Sequence, residues 1–164
     1  MPPPFTARLE FRIWRESDFP LALALWGDAD VTRRIGGPFA ADAVRVRLAR
    51  EIDNEAQRGV QYWPIFLRDG GEHVGVCGLR PHEDILALGF HLHTRHQGKG
   101  LAREAAEQVI AHARDVLGVR ALFAGHHPEN EPSRALLGKL GFVYTHDAFY
   151  EPTGLMHPSY LLEV

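Results

Sequence analysis

Ala87-Leu88-Gly89-Phe90-His91-Leu92-His93-Thr94-Arg95-His96-Gln97-Gly98-Lys99-Gly100-Leu101-Ala102 is the stretch that decides how this chain is read. Its first half lies within Asp84 to His93, which has the length and apolar content of a strand. Beyond the glycines, Leu101 to Leu117 reads as a strong amphipathic helix, with Leu101, Ala105, Val109, Ala113 and Val116 on one face and Gly118 just past its end. A strand that runs through a glycine turn into a helix leaves free N–H groups aimed at one spot, where the helix dipole adds partial positive charge. Gly98 and Gly100 lack a Cβ and let the backbone approach an anion closely. Ala102 keeps the first turn narrow, and Lys99 brings a positive charge. The stretch therefore predicts a phosphate cradle. On its glycines alone it also reads as a bare connection. It lacks the Gly-Lys-Ser/Thr ending of a P-loop, and no G-x-G-x-x-G follows an N-terminal strand.

Working outward, Thr6 to Trp14 alternates as a first strand, with Leu9, Phe11 and Ile13 on one side. Glu16 to Trp26 and Ala41 to Arg58 read as helices, separated by Gly36-Gly37-Pro38 and stopped by Gly59. Gln61 to Arg68 and Glu72 to Leu79 form a hairpin around Asp69-Gly70-Gly71. After the long helix come a short strand, Val119 to Ala124, and a short helix, Pro132 to Leu140, stopped by Gly141. Phe142 to Thr145 and Ser159 to Val164 close the sheet. The order is β-α-α-β-β-β-α-β-α-β-β. This is an α/β (α+β) fold: a mixed, mostly antiparallel sheet of about seven strands flanked by about four helices.

The whole chain sets bounds. Its 164 residues, 45% hydrophobic, suit one globular domain over 1–164. The net charge of −3 comes from 18 basic and 21 acidic side chains spread through both halves, so there is no clustered positive charge of the kind nucleic acid requires. No apolar run approaches the ~18 residues that span a bilayer. A single cysteine, Cys77, rules out an internal disulfide framework and suits a reducing compartment. Met1 to Phe5 has three prolines and no apolar signal-peptide core. The expectation is a cytoplasmic protein without a nucleic-acid or membrane partner.

Gln97-x-x-Gly100-x-Ala102 resembles the Gln/Arg-x-x-Gly-x-Gly/Ala signature of the GNAT superfamily of acyl-CoA-dependent N-acetyltransferases. Asn130-x-x-Ser133-x-x-x-Leu137-x-Lys139-Leu140-Gly141-Phe142 resembles that family's second cofactor motif. Thr6-x-Arg8-Leu9, Trp14-Arg15-x-x-Asp18, Val74-Gly75-x-Cys77-Gly78-Leu79 and Pro152-Thr153-Gly154-Leu155 resemble the RimJ/RimL-like branch, the ribosomal-protein N-terminal acetyltransferases. The match runs in order through nearly the whole chain. It implies acetyl-CoA as co-substrate and no metal. It also implies an amine-bearing acceptor, a peptide N-terminus or a small molecule, and allows a homodimer. The pyrophosphate would lie on the backbone of Gln97, Gly98, Lys99, Gly100, Leu101 and Ala102. The pantetheine arm would pair with Leu92, His93 and Thr94, beside a strand splayed by a bulge. Asn130 would bond the cofactor arm, with a helix N-cap as its alternative role.

Two positions depart from the family's common pattern. Leu137 stands where many members place a tyrosine acid; Ser133 is the nearest substitute, with a capping hydroxyl as the alternative. Ala87 stands where relatives carry a glutamate base; His91, of the same strand parity, is the substitute, with a core or slot-wall histidine as the alternative. A water chain is a third route. His91 and His93, with His126-His127 on the neighbouring strand, also raise a metal site, but nothing completes it. Trp14, Trp26, Trp63 and a Phe149–Tyr150 loop are candidate walls of the acceptor pocket. A non-catalytic acyl-CoA-binding module and a glycine-loop nucleotide binder are the competing readings.

Overall fold

The structure, a computed structural model, describes residues 1–164. Its strands are β1 (Leu9–Phe11), β2 (Tyr62–Leu67), β3 (His73–His82), β4 (Ile85–Leu92), β5 (Ala121–Gly125), β6 (Val143–Tyr150) and β7 (Leu155–Glu163). Its helices are α1 (Phe19–Trp26), α2 (Ala29–Thr32), α3 (Ala41–Arg58), α4 (Leu101–Asp115) and α5 (Glu131–Lys139). Short 3-10 turns precede α1 and follow β4. One seven-stranded sheet runs β1-β2-β3-β4-β5-β7-β6. Every pairing is antiparallel except β4 with β5.

The sheet is covered on both faces. Alternation sends Trp63 and Ile65 of β2 to one side, where they meet Leu88 and Leu92 of β4, Leu101, Ala105 and Val109 of α4, and Leu137 of α5. It sends Tyr62 to the other, where Val76 joins Trp14, Trp26, Val44 and Leu48 beneath α1 and α3. Leu137 therefore serves the core and offers no group for proton transfer.

The structure differs from the sequence expectation in several places, each with a local cause. β1 is shorter than Thr6–Trp14 because side chains take over from the ladder. The Trp14 N–H donates to Gln61 Oε1 at 2.8 Å and its indole Nε1–H to the Tyr62 carbonyl at 2.8 Å. Ile13 is exposed rather than aligned with Leu9 and Phe11. α2 was not anticipated; Asp28 caps it, accepting from the N–H groups of Asp30 and Val31 at 2.8 and 3.0 Å. β3 runs through Pro81 to His82, since β2 ends opposite Gly78 and the missing proline N–H has no strand to serve. α4 ends at Asp115, leaving Val116 exposed. Phe149 and Tyr150 end a strand instead of forming a loop, and the β6–β7 turn is confined to residues 151–154.

Gly78 faces β2 so closely that a Cβ there would run into the Gln61 carbonyl and the Tyr62 Cα. Both are backbone atoms and cannot swing aside. Gly78→Ala is expected to destabilise the fold by about 1–3 kcal/mol, read as a lower urea midpoint with an unchanged slope.

Candidate functional site

β4 and β5 pair only at Leu86↔Leu122 and Ala87↔Phe123. β4 then continues in unbroken register with β3, from His82↔Ile85 to Gly75↔Leu92, while β5 follows β7 from Ala121↔Glu163 to Gly125↔Ser159. The two strands part, each held by its outer neighbour. The expected bulge in β4 is absent, and the splay comes from β5 leaving. The His93 N–H donates to the Val74 carbonyl at 2.9 Å, on the β3 side. Alternation therefore turns the backbone groups of Phe90 and Leu92 into the gap. The Leu92 carbonyl there accepts from Gln97 Nε2 at 3.0 Å.

The glycine loop closes one end of this gap. Gly98 and Gly100 have φ of 74° and 77°, the left-handed region that favours glycine. Space beside Gly98 is open, and a Cβ on Gly100 would meet only Arg8 Nη2, at 3.5 Å. Gly100 is the N-cap of α4 and supplies no side-chain cap. The first intrahelical bond is from the Glu104 N–H to the Gly100 carbonyl, so the N–H groups of Leu101, Ala102 and Arg103 point outward unused. That is a donor set suited to phosphate oxygens.

Arg8 and Glu104 brace this loop, a role the sequence reading missed. Arg8 donates from Nε to Glu104 Oε2 at 2.7 Å and from Nη1 to the Lys99 carbonyl at 2.9 Å. The Thr6 hydroxyl donates to Glu104 Oε1 at 2.6 Å. The carboxylate would repel an anion at this helix end; Arg8 neutralises it and pins the Lys99 carbonyl away. Burial pushes the Glu104 pKa up, but the bonds from Thr6 and Arg8 together outweigh it and hold the pKa below its ordinary value.

The proposed chemical groups are distributed unevenly. Asn130 caps α5: its Oδ1 accepts from the Ser133 N–H at 3.2 Å and from Arg34 Nη1 at 3.4 Å. Its Nδ2 remains for a ligand. Ser133 is half-buried one turn into α5, and its hydroxyl makes no bond within the protein. His91 lies on the other face of β4, against the edge of Tyr62, and its Nδ1 is 3.2 Å from Trp26 Nε1. An indole nitrogen only donates, so Nδ1 accepts and the proton of the neutral ring sits on Nε2. Burial, then the charges of Arg47 and Arg80, push the His91 pKa well below its ordinary value. His91 as placed is a neutral donor whose basic nitrogen is occupied.

His93 packs edge-on to His73, and His126 bonds the Tyr160 hydroxyl at 2.9 Å, so the four histidines do not converge. No group of three or more His, Cys, Asp or Glu side chains is arranged to hold a metal ion. Cys77 is buried, which raises its thiol pKa and keeps it protonated. Trp14, Trp26 and Trp63 are core residues, Phe149 is exposed, and Tyr150 is half-buried.

Residues 8–143 match the acetyltransferase (GNAT) domain family, and the chain belongs to that family of acetyltransferases. Among individual relatives, it is 28% identical over 147 residues to the uncharacterised N-acetyltransferase p20 of Bacillus licheniformis, covering 84% of this chain and 80% of that one. The crystal structure of an acetyltransferase from Agrobacterium tumefaciens superposes with a TM-score of 0.87 at 23% identity, over 100% of this chain and 95% of that one. RimL, a ribosomal L7/L12 α-N-protein acetyltransferase solved with coenzyme A, superposes with a TM-score of 0.84 at 19% identity, over 100% and 98% of the chains. No helix is long and apolar enough to cross a membrane.

Two measurements follow from these contacts. Burial foremost lowers the pKa of His91, His93, His112 and His157, and takes His73 down to about 4. The unfolded chain then binds more protons than the folded one between about pH 4 and 6.5. Stability is fully present above about pH 6.5 and is lost as pH falls through that window, so the urea midpoint is expected to drop steadily from pH 7 to pH 5. Separately, Arg8→Ala removes a half-exposed pair and is expected to cost about 1 kcal/mol of stability, while weakening CoA binding measurably in calorimetry.

Proposed function

We propose that this chain catalyses direct transfer of an acetyl group from acetyl-CoA to a primary amine, on a peptide N-terminus or a small molecule. The observation that carries this reading is the gap between β4 and β5, opening beside the uncapped, glycine-entered N-terminus of α4. The coenzyme A complex of RimL, a protein of the same fold, supports it. Bound acetyl-CoA supplies a thioester whose carbonyl carbon takes the amine lone pair as the C–S bond breaks.

The chain's own residues bind and orient. The N–H groups from Gly98 to Ala102 hold the pyrophosphate, with Lys99 near; the Gln97 N–H, expected among them, is spent on the Thr94 carbonyl at 3.2 Å. Phe90 and Leu92 offer strand-like bonds to the pantetheine arm, a shift of two residues from the expected Leu92–Thr94 set, because His93 is committed to β3 and Thr94 enters the turn after β4. Asn130 bonds the arm through Nδ2. The free Ser133 hydroxyl serves as donor to the departing thiolate; as a weak acid it acts by hydrogen bonding. His91 orients through Nε2–H and becomes a base only if Trp26 releases Nδ1. Holding amine and thioester together accounts for most of the acceleration.

The test is thiol release from acetyl-CoA with a panel of amines and N-terminal peptides, alongside Gly100→Glu. That variant places a carboxylate against the phosphate donors and should weaken CoA binding at least a hundredfold. CoA binding without turnover across the panel favours the non-catalytic module. Normal CoA binding by Gly100→Glu would show the cradle to be elsewhere.

A further inference from the structure

The acceptor side of β4 carries a charge pattern that acetyl transfer alone does not require. α3 presents Val44, Arg47, Leu48 and Glu51 along one stripe, spaced i, i+3, i+4 and i+7. Val44 and Leu48 pack against Trp26, Tyr62 and Val76. Glu51 is fully buried and fully answered: Oε1 takes Arg80 Nη2 at 2.6 Å, and Oε2 takes the Tyr62 N–H at 2.7 Å. Arg47 is not answered. Its Nη1 is closed off from solvent without a hydrogen-bond partner, and its guanidinium lies over the rings of Trp26 and Phe39, at 5.0 and 5.1 Å. A buried guanidinium donor without an acceptor is costly to maintain.

The cluster holds two cations, Arg47 and Arg80, and one carboxylate whose oxygens are both engaged. One positive charge is left over. His91 is neutral and does not offset it. The Tyr62 phenol lies beside both arginines, and burial raises its pKa, so it supplies no negative charge. Burial first and Arg80 second lower the Arg47 pKa, so the site penalises its charge until an anion arrives.

The place of this cluster fixes which ligand it meets. Ala87, Gly89 and His91 face it from β4, and Gly89 has no side chain where the Tyr62 hydroxyl lies. These residues sit along the middle of β4, where β5 has begun to part from it. The phosphate cradle lies beyond His93 at the strand's C-terminal end, and has Lys99 and the α4 N-terminus of its own. The leftover charge therefore serves the molecule entering from the α1 and α3 side.

We propose that the acceptor is an amine that also carries a carboxylate, and that Arg47 binds this carboxylate through its unpartnered guanidinium, held over Trp26 and Phe39. A guanidinium fork matches carboxylate geometry, and one excess charge matches one carboxylate. A polyamine would instead face two guanidinium groups. The proposal rests on the acetyltransferase reading above. The carboxylate belongs either to a free amino acid or to an acidic side chain in a peptide.

The test compares acceptors that differ only in that group. One arm pairs free amino acids with their C-terminal amides. The other pairs peptides with Glu at the second position against the same peptides with Gln. Thiol release gives kcat/KM, and calorimetry with CoA checks cofactor binding independently. In at least one arm the carboxylate member should exceed its neutral partner at least tenfold. Arg47→Gln should bring that ratio within twofold, acting on the acceptor KM while CoA affinity stays unchanged. If Arg47→Gln does not fold, Arg47→Lys, which keeps the charge and loses the fork, should still cut the ratio at least threefold. Equal rates for both members, a ratio that survives the substitution, or no turnover of any carboxylate by a protein that binds CoA would each overturn the proposal. Failure to bind CoA would remove the acetyltransferase reading itself.

Discussion

Everything functional here depends on the parting of two parallel strands after two paired positions. Backbone groups inside a sheet are obligatory hydrogen-bonding groups, and leaving them unpaired carries a cost. The separation persists because each strand is secured on its far side: β4 by continuous antiparallel pairing with β3, β5 by continuous pairing with β7. The core beneath holds the same geometry. Leu88 and Leu92 on one side of the gap and Leu122 and Ala124 on the other are packed with the buried stripe of α4. Closing the gap would require re-registering a whole hairpin, so the slot is a fixed feature of the scaffold.

The two ends of that slot solve opposite electrostatic problems with the same residue type. At the helix end, Arg8 cancels Glu104 and leaves uncharged backbone donors, with an exposed Lys99, for the proposed phosphate. On the acceptor side, Arg80 is cancelled by Glu51 and Arg47 is not. The overall charge of −3 conceals this arrangement. A mean acidic surface suggests a cationic partner, while the local field beside His91 is positive.

Much of the architecture was legible because it rests on local chemistry. The glycine-entered helix, the hairpin at Gly70 and Gly71, and the stripe from Leu101 to Ala113 all follow from periodicity and turn residues. The β6–β7 hairpin was underestimated because most of β6 is solvent-exposed and has no buried alternation, with Pro158 disguising its partner strand. The acceptor side was the least legible. Arg47, Glu51, Tyr62 and Arg80 come from three elements and meet only in the folded sheet. One clue was available: Glu51 occupies an apolar position on the stripe of α3, and a charge there calls for a buried partner.

The missing base takes on a different meaning in this setting. Ala87 provides no carboxylate, and His91 has its basic nitrogen bonded to Trp26. Burial first, and then Arg47 and Arg80, push the His91 pKa well below its ordinary value. An ammonium brought to the same place meets the same field, which favours its neutral form by the same physics. A carboxylate on Arg47 would offset that charge, since Arg80 is already paired with Glu51, and burial, the larger cause at His91, would go on favouring the neutral amine. The enclosure proposed to select the acceptor can thus also promote release of the amine proton to water, so that a site without a dedicated base still presents a nucleophile. The strand that opens the slot, rather than one catalytic side chain, becomes the element around which binding, selection and deprotonation are organised.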